Sequence, residues 1–336
     1  MIHIKVSIII PTHKRKDLLK NCLAKLAEIE RDDFEIIIVN DYLSDDLSDV
    51  IGGNLMGKAS IFNNQKNLGP ACSRNLGAVH AQGEILAFID DDILVSKNWI
   101  DVGVRAFSEN DNRVAVVGKT VLPTGQFPHP FRHFMINDHP GRYPSCNLWI
   151  KKAAFEKAGG FSSDFFDKRW KIFHHEDADL CFRLMKIGTV VFNEELIAEH
   201  PAHSYSWHNP LKAAKKVFFD PLLFKRHPQK YDLLTRRCFQ RFCLKRARTR
   251  PRIIDFWLFV LAVVLLFYSF WWLAGALVLL GIILLKVDVV RKIGWNNIFR
   301  IKIWEWPAIL AVQFLALIYF NVFLVLGMFR AKKFFF

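Results

Sequence analysis

Two common phosphate-binding signatures are missing from this chain of 336 residues. It has no Gly-x-Gly-x-x-Gly and no Gly-x-x-x-x-Gly-Lys-Ser/Thr, which excludes the dinucleotide and P-loop fingerprints. If phosphate is bound, a metal must carry much of its charge. Cysteine is scarce: six, at positions 22, 72, 146, 181, 238 and 243, with no CxxC pair and no metal-ligand spacing. That usage suits reduced, structural thiols in a cytosol-facing domain. The start, Met1-Ile2-His3-Ile4-Lys5, lacks the basic-then-apolar pattern of a signal peptide and runs into a strand, so nothing is expected to be cleaved off. Acidic residues nearly vanish after residue 209. Residues 1–209 carry 24 Lys/Arg and 27 Asp/Glu, residues 210–253 carry 14 against 2, and residues 254–336 carry 8 against 3. The basic character behind the formal net charge of +14 therefore belongs mainly to one short segment, which alone carries +12 and lies directly before a long apolar run. That placement points to anionic lipid headgroups, and nucleic acid is the weaker reading.

Charge is absent altogether from Phe256 to Leu285, thirty residues. About 20 helical residues span a hydrocarbon core, so this run is either one long tilted helix or a hairpin turning near Ser269-Phe270-Trp271-Trp272. The hairpin is preferred because it puts the basic residues on both sides of the run on one, cytoplasmic, side. Trp306 to Phe329 is a second run, long enough for a further span. Residues 210–250 interleave basic residues with Val217, Phe218, Phe219, Leu222 and Phe224, the pattern of an interfacial amphipathic helix. The expected organisation is a catalytic domain over 1–209, a basic interfacial segment over 210–253 and a transmembrane region over 254–336, with 254–285 the hairpin and 306–329 the further span.

The first part alternates strand and helix. Val6 to Ile10, Glu35 to Val39, Ala59 to Phe62, Ile85 to Ile89 and Val114 to Val117 read as strands. Helical spacing follows at Leu18, Leu19, Cys22, Leu23 and Leu26, from Pro70 to about Ala81, and around Trp99–Phe107. Such alternation predicts an α/β fold with a doubly wound, mainly parallel sheet. The stretch 119–145 reads as loop and short strand folding over the site. Leu148 to Ile150, Lys152 to Ala158 and Gly159-Gly160-Phe161 suggest strand, helix and a sharp turn, and a helix opens at His175-Glu176-Asp177.

The chain is organised around Phe88-Ile89-Asp90-Asp91-Asp92, where a buried strand ends in three carboxylates. At the carboxyl end of a parallel sheet the chain enters the ligand-binding crevice. Repulsion and desolvation make three bare carboxylates costly there, and Mg²⁺ or Mn²⁺ resolves both. Glu176-Asp177, about 85 residues on, is a second acidic cluster. Asp179 cannot share the helix face of Asp177 and reads as a structural acid.

These motifs resemble family 2 glycosyltransferases of the GT-A fold over roughly residues 4–210. The resemblance rests on Ile10-Pro11-Thr12, Val39-Asn40-Asp41, Asn67-Leu68-Gly69 with Ser73-Arg74-Asn75, the Asp90–Asp92 run, Gly159-Gly160-Phe161 and Glu176-Asp177. It implies that Thr12 and Asp41 contact the nucleotide base with Arg74 nearby, that Asp90 binds on the ribose side and that Asp92 holds the metal. Pro11, Arg15, Asn67, Gly69 and Asp91 join the nucleotide-sugar pocket, and Asp90 also serves the metal. Asp177, with Glu176, is implied as general base, and Gly160, Phe161 and Trp170 lie on the acceptor side. One departure is Asn40-Asp41-Tyr42-Leu43-Ser44, where the family usually shows Asp-Asp-Gly-Ser.

The expectation is a metal-dependent inverting transferase using a nucleotide-diphosphate sugar. Its acceptor is lipid-linked or a glycan, and it is a multi-pass protein of the inner or plasma membrane with a cytoplasmic catalytic domain. An inactive nucleotide-sugar-binding scaffold and a processive polysaccharide synthase are the alternatives. Retention of Asp90, Asp92 and Asp177 argues against the first, and the lack of a Gln-x-x-Arg-Trp motif against the second. His174, His175, His203 and His208 are candidate helpers at the diphosphate or acceptor.

Overall fold

The computed structural model describes residues 4–42, 46–108, 112–235, 250–267 and 271–332. The chain divides into two compact units, residues 1–124 with 135–201, and residues 125–134 with 202–336. Residues 125–134, inside the expected catalytic region, thus group with the second unit.

In the first unit the strands are β1 (Val6–Thr12), β2 (Phe34–Asn40), β3 (Ala59–Asn63), β4 (Ile85–Phe88), β5 (Leu94–Val95), β6 (Arg113–Val121), β7 (Leu148–Lys151), β8 (Phe166–Asp167), β9 (Ile172–Phe173) and β10 (Thr189–Glu199). The helices are α1 (Lys16–Leu26), α2 (Pro70–His80), α3 (Trp99–Ser108), α4 (Lys152–Ala158) and α5 (Glu176–Leu184). Eight strands form one sheet in the order β3-β2-β1-β4-β7-β6-β10-β5, and β8 and β9 form a separate hairpin.

Side-chain alternation splits the core in two. Val6, Ile8, Ile10, Ile36, Ile38 and Ala87 face one side, where α1 and α3 bring Leu19, Leu23, Trp99 and Ile100. Ile9, Ile37, Val39, Leu86 and Phe88 face the other, against Phe155 of α4 and Leu180 and Leu184 of α5. Both faces of the central strands are covered, so β1, β2 and β4 are buried over nearly their whole length, as a doubly wound fold requires. The sheet is mixed: β3, β2, β1 and β4 are parallel, β7 is antiparallel to both β4 and β6, β6 and β10 are parallel, and β5 is antiparallel to β10. In register, Thr12, Asn40 and Asn63 end the first three strands at one edge, and Asp90-Asp91-Asp92 emerges beyond β4.

The second unit holds α6 (Asn209–Lys215), α7 (Asp220–Arg226), α8 (Pro228–Thr235), α9 (Arg250–Phe267), α10 (Trp271–Ile293), α11 (Trp295–Ile298) and α12 (Trp306–Ala331). The long apolar run thus forms two helices, α9 and α10, that pack together. Gly281 meets the Phe259 ring so closely that a Cβ there would stand 2.7 Å from it. The residues between them, 268–270, and residues 236–249 of the basic segment lie outside the described residues. Phe131, Val289, Ile293, Ile301 and Ile309 form a buried cluster. Among the described residues, Ile303–Ala331 is the one helix long and apolar enough to cross a membrane, with a mean hydropathy of 2.5.

Candidate active site

Asp90, Asp91 and Asp92 are held differently. Asp91 and Asp92 are buried, while Asp90 is half-buried. The Thr12 hydroxyl donates to Asp91 Oδ2 at 2.7 Å, and Arg15 Nη1 reaches Asp91 Oδ1 at 2.6 Å and Asp92 Oδ2 at 2.8 Å. The last residue of β1 and the turn after it therefore send two side chains onto the acids that follow β4. Burial nevertheless pushes the Asp91 carboxyl up to about 6, with Asp92 and Asp90 adding to it against Arg15 and Thr12. The remaining Asp92 oxygen, Oδ1, lies 3.7 Å from Nε2 of buried His200, just past the end of β10.

Arg74, on α2, is fully enclosed. Its Nη2 donates to Asp90 Oδ1 at 2.7 Å and its Nη1 to Glu176 Oε1 at 3.3 Å. Its guanidinium lies 5.4 Å from the centroid of the Phe161 ring. One cation thus joins the acids after β4 to those opening α5. Asp177, next along α5, accepts from its neighbour Ala178 N at 2.7 Å and from Ser145 N at 3.3 Å. Burial pushes its carboxyl above the ordinary aspartate range, against the pull of the Ala178 N–H, Arg74 and the Ser145 N–H. Three acids in the first turn of α5 favour the helix dipole. Asp179 turns away and pairs with Arg183 at 2.8 Å, and Arg183 in turn donates to Gly160 O at 2.7 Å.

Asp41 has its oxygens engaged by its own surroundings: Asn64 Nδ2 at 2.7 Å, Leu68 N at 2.9 Å and Gly69 N at 2.8 Å. It fixes the loop that opens α2. Gly69 has φ +84°, and a Cβ there would lie 2.9 Å from the Phe166 ring, so both backbone and space demand glycine. Asn67 is exposed, with its amide 3.4 Å from His13 Nδ1. Pro11 is half-buried within β1.

Gly160, with φ +67°, abuts Asn75, whose side chain clasps Phe161 through Phe161 N and O, both at 2.8 Å. Phe161 is buried, edge-on to Phe88 at 5.1 Å, and supports the site from beneath. Trp170 sits half-buried between β8 and β9, its N–H donating to Asp167 Oδ1 at 3.0 Å. The His174 and His175 rings lie 3.8 Å apart, tilted by 31°, before α5, whereas His203 and His208 belong to the second unit. Cys22, Cys146 and Cys181 are buried thiols whose pKa burial pushes well up, so they are not poised as nucleophiles.

The first unit thus brings Thr12, Arg15, Asp90, Asp91 and Asp92 together, and Arg74 ties Asp90 to Glu176. Sequence reasoning did not select His200 or Asn64. Their only local signal is a position just past a strand end, and the strand before His200 is itself irregular.

Residues 7–173 match the profile of Glycosyl transferase family 2. An uncharacterized glycosyltransferase of Rickettsia bellii is 32% identical over 107 residues, which are 32% of this chain and 16% of that protein. The chain spans less than a fifth of the length of the first curated relatives it matches. A glucosyl-dolichyl phosphate glucuronosyltransferase of Haloferax volcanii is 25% identical over 255 residues, covering 68% of this chain and 76% of that one. In fold, the chain is similar to the mannosyltransferase PcManGT of Pyrobaculum calidifontis, solved with GDP-Man and Mn²⁺. The TM-score is 0.55 at 12% identity, over 96% of this chain and 87% of that one. The chain belongs to glycosyl transferase family 2, and its fold is GT-A.

Proposed function

We propose that this chain is an inverting glycosyltransferase that moves a sugar from a nucleotide-diphosphate donor to a hydroxyl of a lipid-linked or cell-surface glycan acceptor. The observation that carries the reading is the shared guanidinium of Arg74, which ties the Asp90–Asp92 cluster to the Glu176-Asp177 cluster. An inverting transfer needs both: a site for the departing diphosphate, and one base for the incoming hydroxyl.

The donor set fits a divalent cation. Arg15 joins the buried carboxylates of Asp92 and Asp91, the latter pushed up to about 6, and an imidazole nitrogen of His200 stands 3.7 Å from Asp92 Oδ1, farther than a hydrogen bond. Asp92, Asp90 and His200 would hold Mg²⁺ or Mn²⁺, which when bound offsets the diphosphate charge and stabilises the leaving group. The chain's own residues do the rest. Asp177 accepts the acceptor hydroxyl's proton at a carboxylate oxygen, and a carboxyl raised above the usual range is the stronger base. Glu176 does not compete for that role, because its Oε1 accepts from Arg74 in a buried pair. Arg15 fixes Asp91 and Asp92. Asp41 acts by holding the 67–69 loop against which the nucleotide rests, and Thr12 by holding Asp91.

The second unit offers exposed apolar helices beside basic segments, which suits a membrane-associated enzyme with a cytoplasmic catalytic unit at an anionic surface. The Haloferax relative, named for a dolichyl phosphate sugar, is in line with a lipid-linked acceptor. Thermal unfolding with UDP, GDP, CDP and dTDP tests donor binding. One of them should raise Tm when Mn²⁺ is present; at 100 times Kd the gain is about 2.7 kcal/mol. No stabilisation by any nucleoside diphosphate, with or without metal, would remove the basis for the reading.

A further inference from the structure

We propose that α12 lies in the plane of one membrane leaflet, with both of its ends on the same face, and does not cross the bilayer. The proposal rests on the membrane-associated reading above and concerns how the second unit enters lipid. It replaces the expected span over 306–329. By length α12 is able to cross: its 26 residues rise about 39 Å against a hydrocarbon core of about 30 Å. What runs beside it decides otherwise.

The segment Asn209–Arg226 follows α12 in the same direction from one end to the other. At the start, Asn209 Nδ2 donates to Phe131 O at 2.9 Å, and Phe131 shares a buried cluster with Ile309. At the middle, Lys215 Nζ lies 5.5 Å from the ring centroid of Tyr319 and 5.4 Å from that of Phe323. Further along, a Cβ on Gly327 would stand only 2.2 Å from Phe218 O, and Arg330 covers the rings of Phe218 and Phe219. At the end, Lys225 Nζ donates to Ala331 O at 2.9 Å.

This companion segment carries Lys212, Lys215, Lys216, Lys225 and Arg226 against a single acid, Asp220. If α12 crossed the bilayer, the companion would have to cross with it. Lys215, beside Tyr319 at the helix midpoint, would then stand near the bilayer midplane, where ionised side chains are costly and rare. In the interface the same pieces are in ordinary places. The buried stripe of α12, including Gln313, Leu317, Phe320 and Leu324, packs inward. Leu315, Val322 and Phe329, seven residues apart on the exposed face, enter the acyl chains. The lysine stems lie along apolar surface while their ammonium groups reach lipid phosphates. The partner this surface fits is a single leaflet containing anionic lipid.

Depth measurement separates the two arrangements. Spin labels are placed at Leu315→Cys, Val322→Cys and Phe329→Cys in the full chain, with Cys72, Cys238 and Cys243 changed to serine. The protein is bound to vesicles of phosphatidylcholine and phosphatidylglycerol. The proposal predicts equal depth for all three labels, within one leaflet. A crossing helix would step by about 10 Å between successive labels, and that gradient overturns the proposal while leaving membrane association intact. Three labels open to water would overturn both. A second measurement keeps the exposed face unaltered: Lys302→Cys and Lys332→Cys, on sealed vesicles, should both react with an impermeant maleimide from the same side. Reaction from opposite sides contradicts an in-plane helix.

Discussion

Arg74 and Glu176, 102 residues apart in the chain, meet at 3.3 Å with both side chains almost wholly buried. The same guanidinium holds Asp90 at 2.7 Å. Removing the cation leaves the buried Glu176 and the half-buried Asp90 facing each other across its place. Arg74→Ala should therefore cost about 3–5 kcal/mol of stability, the range for breaking a buried ion pair from one side. Arg74→Lys keeps the charge but lacks the two-pronged fork, so it should recover part of the stability and little of the turnover. Denaturant unfolding of the two variants checks this, and an Arg74→Ala protein as stable as the parent would contradict it.

Asp177 separates chemistry from binding. Asp177→Asn should lower kcat by a factor on the order of 10²–10⁴, as expected for loss of a general base. Nucleotide affinity measured by calorimetry should change little. If affinity falls with rate, Asp177 is a ligand or a structural acid.

Asp177 also sets a pH dependence. A base must be ionised to work, and burial raises this carboxyl above the ordinary aspartate range. Activity should therefore fall as pH drops through that raised value, giving an acid limb at higher pH than a solvated aspartate would give. Asp177→Asn should erase the limb. A kcat profile flat down to pH 4 would contradict the assignment.

Gly69 is required by its backbone and by the Phe166 ring behind it. Gly69→Ala should cost on the order of 1–3 kcal/mol and loosen the loop that Asp41 holds, weakening nucleotide binding as well. Gly52→Ala is the control, since nothing lies within 4 Å of its added Cβ and its φ is extended. Comparable losses in the two variants, read from Tm and nucleotide titration, would mean that Gly69 has no special part.

Much of the first unit was legible because its signals are local. Phe88-Ile89-Asp90-Asp91-Asp92 announces a buried strand ending in charge, and Gly69-Pro70 marks the start of α2. Three things were not legible, for physical reasons. A run such as Leu148-Trp149-Ile150 reads as a buried strand but carries no sign of its direction, so the antiparallel place of β7 appears only in three dimensions. The strand β10 breaks its apolar pattern at Asn193-Glu194-Glu195, where its register against β6 shifts between Asn193 and Ile197. Without an apolar period to mark that strand, nothing in the sequence places His200 at a strand end. The Arg74–Glu176 contact joins residues too far apart in sequence for spacing to reveal. In the second unit the length and apolarity of α12 were plain, and the lysine-bearing segment laid along it was not.

The direct test of the central claim follows one turnover. Purified chain, Mn²⁺, the nucleotide sugar selected by binding and a lipid-linked acceptor should release nucleoside diphosphate and give a product whose anomeric configuration, read by NMR, is inverted relative to the donor. EDTA should abolish both signals, and Asp177→Asn should slow both by a factor on the order of 10²–10⁴. Retained configuration, or full turnover in EDTA, would contradict the account.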